Sequence, residues 1–373
     1  MLDIYLRSYL EDLRWTLEEV DRSQLGAIVE LLQRARDAGR QILVIGNGGS
    51  AATASHMACD LGKGTVDFSN PEFKRFRVLS LCDNNALITA IGNDLSYEDV
   101  FVEQLRMVLR PEDVVVLISA SGNSPNVVKA AEYAREMGAT TVALLGFGGG
   151  KLRRLVDYPV VVSSRNYGIA EDFHAAVQHV LTQYLRRALA GPARPVAFLD
   201  RDGVINERAA PHEYIEHWSQ FRFVEGVLPT LRILASLGYE LVVVTNQQGI
   251  GRGKMSAEGL ARLHVEMTQA LDANGIRLAG IFHCPHLESD GCFCRKPRPG
   301  LLQRALNEMP FLVDMERSLL IGDTDADVEA GRAMGLRTIC IAGPDGSGAG
   351  ATHVVSRIEE VVGVLGVSSQ AAI

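Results

Sequence analysis

Phe198-Leu199-Asp200-Arg201-Asp202-Gly203 sets two carboxylates at the end of an apolar run, spaced so that both can reach one site. An isolated Asp-x-Asp is usually a solvated turn. Here three further elements follow in order: Thr245-Asn246 ending a second apolar run, Lys296 after a loop, and Gly322-Asp323 ending a third. Between them, Cys284-Pro285-His286 and Cys292-Phe293-Cys294 bring four soft or borderline ligands into eleven residues, enough to close a tetrahedral zinc site. With all four positions taken by protein, such a zinc is structural; the bland reading is free thiols. Arg295 and Lys296 follow Cys294 directly, so the metal would fix the loop that delivers both cations. Chelation is then expected to weaken any chemistry at Lys296 without touching Asp200.

The first half of the chain carries a different set. Gly46-Asn47-Gly48-Gly49-Ser50 stands between an apolar run and a helix, where bare backbone and helix-start amides can meet an anion. A second loop, Ser119-Ala120-Ser121-Gly122-Asn123-Ser124, offers three hydroxyls before another helix. Each loop alone could be a tight turn. Two at the carboxyl ends of parallel strands point to a ligand. His56 and Asp60 lie four apart on one helix, and Glu171 and His179 eight apart on another. Spacing leaves them as ordinary surface or core residues, as acid-base groups, or as zinc ligands.

These residues need elements to position them, and 373 residues at roughly 150 per domain predict two or three domains. Apolar runs at Ile42–Ile45, Val78–Leu81, Val114–Ile118, Thr141–Leu145 and Tyr158–Val162 alternate with helical stretches. That alternation predicts an α/β fold with a doubly wound parallel sheet. A helix over about 170–189 closes it. Gly191 to Pro195 cannot continue that helix, which places a domain over 1–190, a linker over 191–195 and a second domain over 196–373. There the pattern restarts, at Val196–Leu199, Leu241–Val244, Gly280–Phe282, Ser318–Ile321 and Thr338–Ile341. The small, polar tail after Val367 is expected to fray. At the N-terminus, Leu6, Leu10, Leu13, Leu17 and Val20 form a heptad-like stripe, which lies on its own domain or against another subunit, and Ser23 can cap the next helix.

Composition narrows the class. Hydrophobic residues are 47%, charged residues 22% and the net charge is −8, so the basic footprint of a nucleic-acid binder is missing. Apolar runs are strand-length, far short of the ~20 residues that span a bilayer. Asp3 behind Met1, with no basic start, does not read as a secretion signal, and a cytoplasmic address is expected.

The glycine loop, the serine loop and Ile91-Gly92-Asn93-Asp94 together resemble the sugar-isomerase (SIS) fold, specifically the phosphoheptose isomerases, over roughly residues 1–190. The resemblance implies that Ser119, Ser121 and Ser124 hold a substrate phosphate and that Asn47, Gly48, Gly49, Ser50 and Asp94 lie at the sugar. It also implies aldose-ketose isomerisation, in which a proton moves between adjacent carbons. The family has a His-x-x-x-Glu pair, a glutamine and a histidine where this chain has His56, Asp60, Glu171 and His179, as catalytic groups and in some members as metal ligands. Two departures stand out: Asp60 replaces the usual glutamate and Glu171 the usual glutamine. Asp60 is one methylene shorter, and a ~1 Å misplacement can cost about a hundredfold in rate. Glu171 adds a negative charge that a divalent cation would neutralise. Relatives that lost the catalytic pair serve as sugar-phosphate sensors or assembly proteins; retention of His56, Asp60 and His179 favours an enzyme. His174, on the same helix as Glu171, reads as a structural residue or as one that supports the reactive groups from behind.

The ordered acids, threonine and lysine of the second half resemble the haloacid-dehalogenase-like phosphohydrolases. By that resemblance Asp200 attacks phosphorus, Asp202 serves as acid and base, and Thr245 and Lys296 hold the phosphoryl oxygens. Mg²⁺ would be bound by Asp200, Asp323 and the backbone carbonyl of Asp202. Asp327 either orients the metal's waters or is a plain helix-start acid, and Asp325 is surface. Asp200 to Asn206, Thr245 to Ile250 and Cys294-Arg295-Lys296-Pro297 resemble heptose 1,7-bisphosphate phosphatases, with histidinol-phosphate phosphatases as the competing zinc-loop group. The spacing leaves no room for a separate cap domain, so Asn246 and Arg295 become candidate substrate contacts. Thr324 stands where many heptose phosphatases carry lysine.

Both families meet in nucleotide-activated heptose biosynthesis. The fusion therefore implies conversion of sedoheptulose 7-phosphate to D-glycero-D-manno-heptose 7-phosphate and removal of the 7-phosphate from the 1,7-bisphosphate. A kinase step lies between, and no kinase motif is visible, so a separate heptose kinase is expected. The resemblance also implies a homo-oligomer through the SIS domain, a tetramer by preference. The alternatives are a sensor domain joined to a phosphatase, or a histidinol-phosphate-type phosphatase.

Overall fold

The computed structural model describes residues 1–210, 213–342 and 348–366. They form two compact units, Met1–Ala190 and Gly191–Ile373. The first unit runs α1 (Leu2–Glu18), α2 (Arg22–Asp37), β1 (Gln41–Gly46), α3 (Gly49–Cys59), β2 (Arg77–Ser80), α4 (Asn85–Asp94), α5 (Val100–Val108), β3 (Val114–Ser119), α6 (Pro125–Glu136), β4 (Thr140–Leu145), α7 (Leu152–Leu155), β5 (Tyr158–Val161) and α8 (Tyr167–Leu189). Its five strands are all parallel, in the order β2-β1-β3-β4-β5. Every residue of β3 is buried, as a central strand covered on both faces requires. Along β1 the side chains alternate between two cores. Ile42 and Val44 join α3 and α8, while Leu43 and Ile45 join α5 and α6. Because the strand order reverses between β1 and β3, their following loops open side by side at the carboxyl edge.

The second unit runs β6 (Val196–Leu199), α9 (Val227–Ser236), β7 (Glu240–Asn246), α10 (Ala257–Ala273), β8 (Leu278–Cys284), α11 (Gly300–Glu308), β9 (Leu319–Gly322), α12 (Asp325–Ala333), β10 (Arg337–Ile341), β11 (His353–Val355) and α13 (Glu360–Val364). Its parallel sheet has the order β11-β10-β9-β6-β7-β8. Here the switch lies at β6 and β9, which end just before Asp200 and Asp323.

Three details differ from the sequence reading. Helix α2 is capped by Asp21, not Ser23: the Asp21 carboxylate accepts from the Ser23 and Gln24 amides, and the Ser23 hydroxyl donates to it. A carboxylate there also suits the positive helix start. Strand β11 was not foreseen, being three residues at a sheet edge. Residues 191–195 are partly built into the second unit, since the Arg194 amide donates to Leu312 and its guanidinium pairs with Glu240 at 2.7 Å. The tail after Val367 lies outside the described residues.

The leucine stripe of α1 divides. Leu17 and Val20 pack on the core of their own unit, while Leu6 and Leu10 are 50% and 54% exposed. Tyr9 ties α1 to α8 through a 2.6 Å hydrogen bond to Asp172.

His174 and His264 are both buried, and burial holds His174 down at about 4 and His264 at about 3, against 6.5 for a free imidazole. The unfolded chain therefore binds more protons than the folded one below about pH 6.5, and stability falls as the pH drops toward 4. Calorimetric melting of a His174→Gln chain should show a shallower loss of the first unit's Tm between pH 6.5 and 4.5 than the parent. An equal slope would show that His174 has no part in it.

Candidate active sites

Helices α3 and α6 start without a side-chain cap, Gly48 and Ser124 being their first flanking residues, and Pro125 opens α6. Both positive ends face the carboxyl edge of the sheet, where an anion would sit. The Ser119 hydroxyl oxygen accepts from the Gly122 amide at 3.1 Å, and that of Ser121 from the Asn123 amide at 3.3 Å. Each hydroxyl keeps its proton for a ligand oxygen. Asn47 exchanges two 2.9 Å amide bonds with Asn126 and accepts from the Tyr97 hydroxyl, so it braces the glycine loop against α6. Ser50 is buried in the first turn of α3. Asp94 ends α4, exposed, and accepts from Asn93.

The serine loop has a support that the sequence reading missed. Gly146-Phe147-Gly148-Gly149-Gly150 follows β4, and Gly122, at φ +63°, packs so closely that a Cβ there would lie 2.1 Å from the Gly149 carbonyl oxygen. The amides of Lys151 and Leu152 then donate to Asn123 Oδ1 and to the Gly122 carbonyl. The run of glycines was the available signal.

On α3 and α8, His56 Nε2 and His179 Nε2 lie 3.5 Å and 3.8 Å from Asp60 Oδ2, and the imidazoles meet edge to face at 4.8 Å. These three form a possible metal group with ligand atoms within 4.8 Å of one another. Glu171, named as a fourth ligand, is not in that group. Eight residues span about 12 Å of helix, and the Glu171 carboxylate lies over Gly49, where a Cβ would come within 2.5 Å of it. All three clustered groups are partly exposed.

In the second unit, Lys296 is buried with its ammonium 3.0 Å from Asp200, donating 2.8 Å to the Val244 carbonyl and paired with Asp327. Burial pushes the Asp200 carboxyl up, to about 7, with Lys296 opposing. Against burial, Asp200 and Asp327 hold the ammonium above its usual range. Asp202 goes the other way. Burial would raise it, but Arg201, Asn206 and Gln247 keep it below the usual carboxylate range, Arg201 through two 2.9 Å bonds and Gln247 at 2.8 Å. Thr245 is buried at the end of β7, its hydroxyl oxygen accepting from Gln247 at 3.0 Å.

The buried carboxylates that converge are Asp200, Asp323 and Asp327. Asp327 lies among the candidate metal ligands and, as the helix-start acid considered for it, closes a capping box with Thr324. Asp325 is exposed, accepting from the Gly348 amide. Asn246, expected at the substrate, lines the cavity beside Asp200 and also locks the lysine loop. Its side chain exchanges two 3.1 Å bonds with the Lys296 backbone. Arg295 is held by the His286 carbonyl and Gln248 at the rim. Arg208 was missed. It binds Asp323 with Nε at 2.5 Å and lines, with Asp200, Tyr214 and Lys296, a cavity of about 400 Å³.

Cys284, His286, Cys292 and Cys294 converge as their spacing suggested, with donor separations of 3.3–3.6 Å. Tetrahedral zinc with sulfur at about 2.3 Å sets donors roughly 3.7 Å apart, so the set fits that ion. Burial pushes the Cys284 thiol up to about 12, so it becomes a thiolate only on a cation.

Residues 7–146 match the SIS domain family and residues 293–361 the HAD-hydrolase-like family. The phosphoheptose isomerase of Geotalea daltonii is 39% identical over 171 residues, 46% of this chain and 87% of that protein. That of Nitratidesulfovibrio vulgaris is 41% identical over 170 residues, 46% of this chain and 79% of the other. The D-glycero-beta-D-manno-heptose-1,7-bisphosphate 7-phosphatase of Vibrio cholerae is 42% identical over 154 residues, 39% of this chain and 80% of that protein. Fold and sites thus define a two-unit enzyme that joins a sugar-isomerase fold to a haloacid-dehalogenase-like phosphohydrolase. More narrowly, the chain belongs to the phosphoheptose isomerase family in its first unit and to the heptose-1,7-bisphosphate 7-phosphatase family in its second. No helix among the described residues is long and apolar enough to cross a membrane.

The Gly122 contact is with backbone and cannot swing away, and its φ is one that L side chains resist. Gly122→Ala should cost the first unit about 2–4 kcal/mol in thermal melts and weaken sugar-phosphate binding in calorimetry. Unchanged stability and binding would remove the glycine run from the account.

Proposed function

We propose that the chain is a bifunctional cytoplasmic enzyme of nucleotide-heptose biosynthesis. It isomerises sedoheptulose 7-phosphate to D-glycero-D-manno-heptose 7-phosphate and hydrolyses the 7-phosphate of the 1,7-bisphosphate. The carrying observation is that each unit assembles its own reactive group: His56, Asp60 and His179 around α3 and α8 in one, and Asp200, Lys296, Asp323 and Asp327 at the carboxyl edge of the sheet in the other.

In the isomerase unit the serine-loop hydroxyls and the start of α6 take the phosphate. Asp60 or His179 removes a proton from one carbon and returns it to the neighbour, as the carbonyl moves in the opposite sense. His56, Asp60 and His179 fit Zn²⁺, which would polarise the substrate oxygens when bound. The partly exposed cluster and the apolar residues left open on α1 support an oligomer through this unit, a tetramer by preference.

In the phosphatase unit Asp200 attacks phosphorus, the bond to the sugar oxygen breaks, and Asp202 supplies that oxygen with a proton. Asp202 then takes a proton from the water that attacks the aspartyl-phosphate and releases inorganic phosphate. Lys296 and Thr245 hold the phosphoryl oxygens, and Arg295 meets substrate from the rim. The all-oxygen set of Asp200, Asp323 and the Asp202 carbonyl suits Mg²⁺, which would neutralise charge at the phosphoryl group. Zn²⁺ on the four-ligand loop would be structural. A separate heptose kinase must act between the two steps.

The test is an Asp200→Asn chain, silent as a phosphatase, given sedoheptulose 7-phosphate with and without Zn²⁺ and followed by NMR. Aldose 7-phosphate should appear. Substrate binding without turnover would reduce the first unit to a sensor.

A further inference from the structure

We infer that Arg208 is a counter-cation built into the phosphatase metal site, one that holds Asp323 until a divalent ion displaces it. The inference rests on the phosphatase reading of that site. Arg208 follows Asn206, which bridges to both Asp202 and Phe223 and so fixes the segment across the carboxyl edge of the sheet. From there the guanidinium grips Asp323 twice, with Nε 2.5 Å from the carboxylate and Nη2 3.2 Å from the main-chain carbonyl. Gly203 makes the meeting possible. A Cβ at that position would lie 1.5 Å from Asp323 Oδ2 and 2.9 Å from Arg208 Nε.

The charges at the site explain why this cation, and not another, is the one to leave. Four carboxylates, Asp200, Asp202, Asp323 and Asp327, face Arg201, Lys296 and Arg208. Arg201 is buried and committed to Asp202; Lys296 is buried between Asp200 and Asp327. Arg208 is 49% exposed on its side chain, and its partner Asp323 only 8%. A charged carboxylate that deep needs a cation close by, and Arg208 can withdraw into the cavity it already lines. A divalent ion at Asp323 competes for the same carboxylate oxygens, so the ion pair and the metal exclude one another.

The test is calorimetric titration of Mg²⁺ into the full-length chain, the Arg208→Ala variant and the Arg208→Lys variant, each first dialysed free of Mg²⁺. The alanine variant should bind Mg²⁺ about tenfold more tightly than the parent, the lysine variant in between. Without Mg²⁺ the alanine variant should melt below the parent, and saturating Mg²⁺ should close the gap. Equal or weaker Mg²⁺ binding by Arg208→Ala would overturn the inference while leaving the phosphatase reading intact. A parent chain that binds no Mg²⁺ would overturn both.

Discussion

The second unit depends on one buried ammonium group. Lys296 sits between Asp200 and Asp327 with the Val244 carbonyl as a further acceptor, and its ammonium is the cation paired with both buried carboxylates. Removing one member of a buried ion set typically costs about 3–5 kcal/mol, because the others are left charged and unpaired. The surroundings are built to keep the lysine in place. Asn246 clamps its backbone, Cys294 anchors the residues before it, and the Thr324–Asp327 capping box fixes the carboxylate on its far side. A metal held by the four-ligand cluster would thus act as a positioning device for the lysine that follows it.

The first unit solves a different problem. Its reactive cluster is partly open, and what is rigid is the backbone around it: two uncapped helix starts, a serine loop wedged on a run of glycines, and the Asn47–Asn126 brace. Phosphate recognition by backbone and hydroxyl requires close approach, and close approach requires glycine. Asp60 in place of a longer acid is accommodated by helix geometry, since one carboxylate oxygen lies near both imidazoles.

Most of this is legible in the sequence. Apolar runs bounded by turns located ten of the strands, because a parallel strand buried on both faces must be continuously apolar. The Cys284–Cys294 spacing and the Asp-Thr-Lys-Asp order carry chemistry in their residue types. What stayed hidden is what depends on contacts between distant segments. Arg208 has no motif of its own and matters only because Gly203 leaves room beside Asp323. The clamp of Asn246 on Lys296 was not legible because it joins residues 50 apart. Glu171 was grouped with His179 on helical periodicity, which says which side of a helix a residue takes but not how far along it the side chain reaches. Ser23 lost the cap to Asp21 because either residue could serve.

Asp200, paired with Lys296, is the proposed nucleophile of the second unit. The most direct measurement is borohydride trapping of an Asp202→Asn chain during exposure to heptose 1,7-bisphosphate and Mg²⁺, followed by peptide mass spectrometry. An aspartyl-phosphate is reduced to homoserine, and that product is expected at position 200. Phosphate release with no reduced residue, or reduction at any other carboxylate, would contradict it.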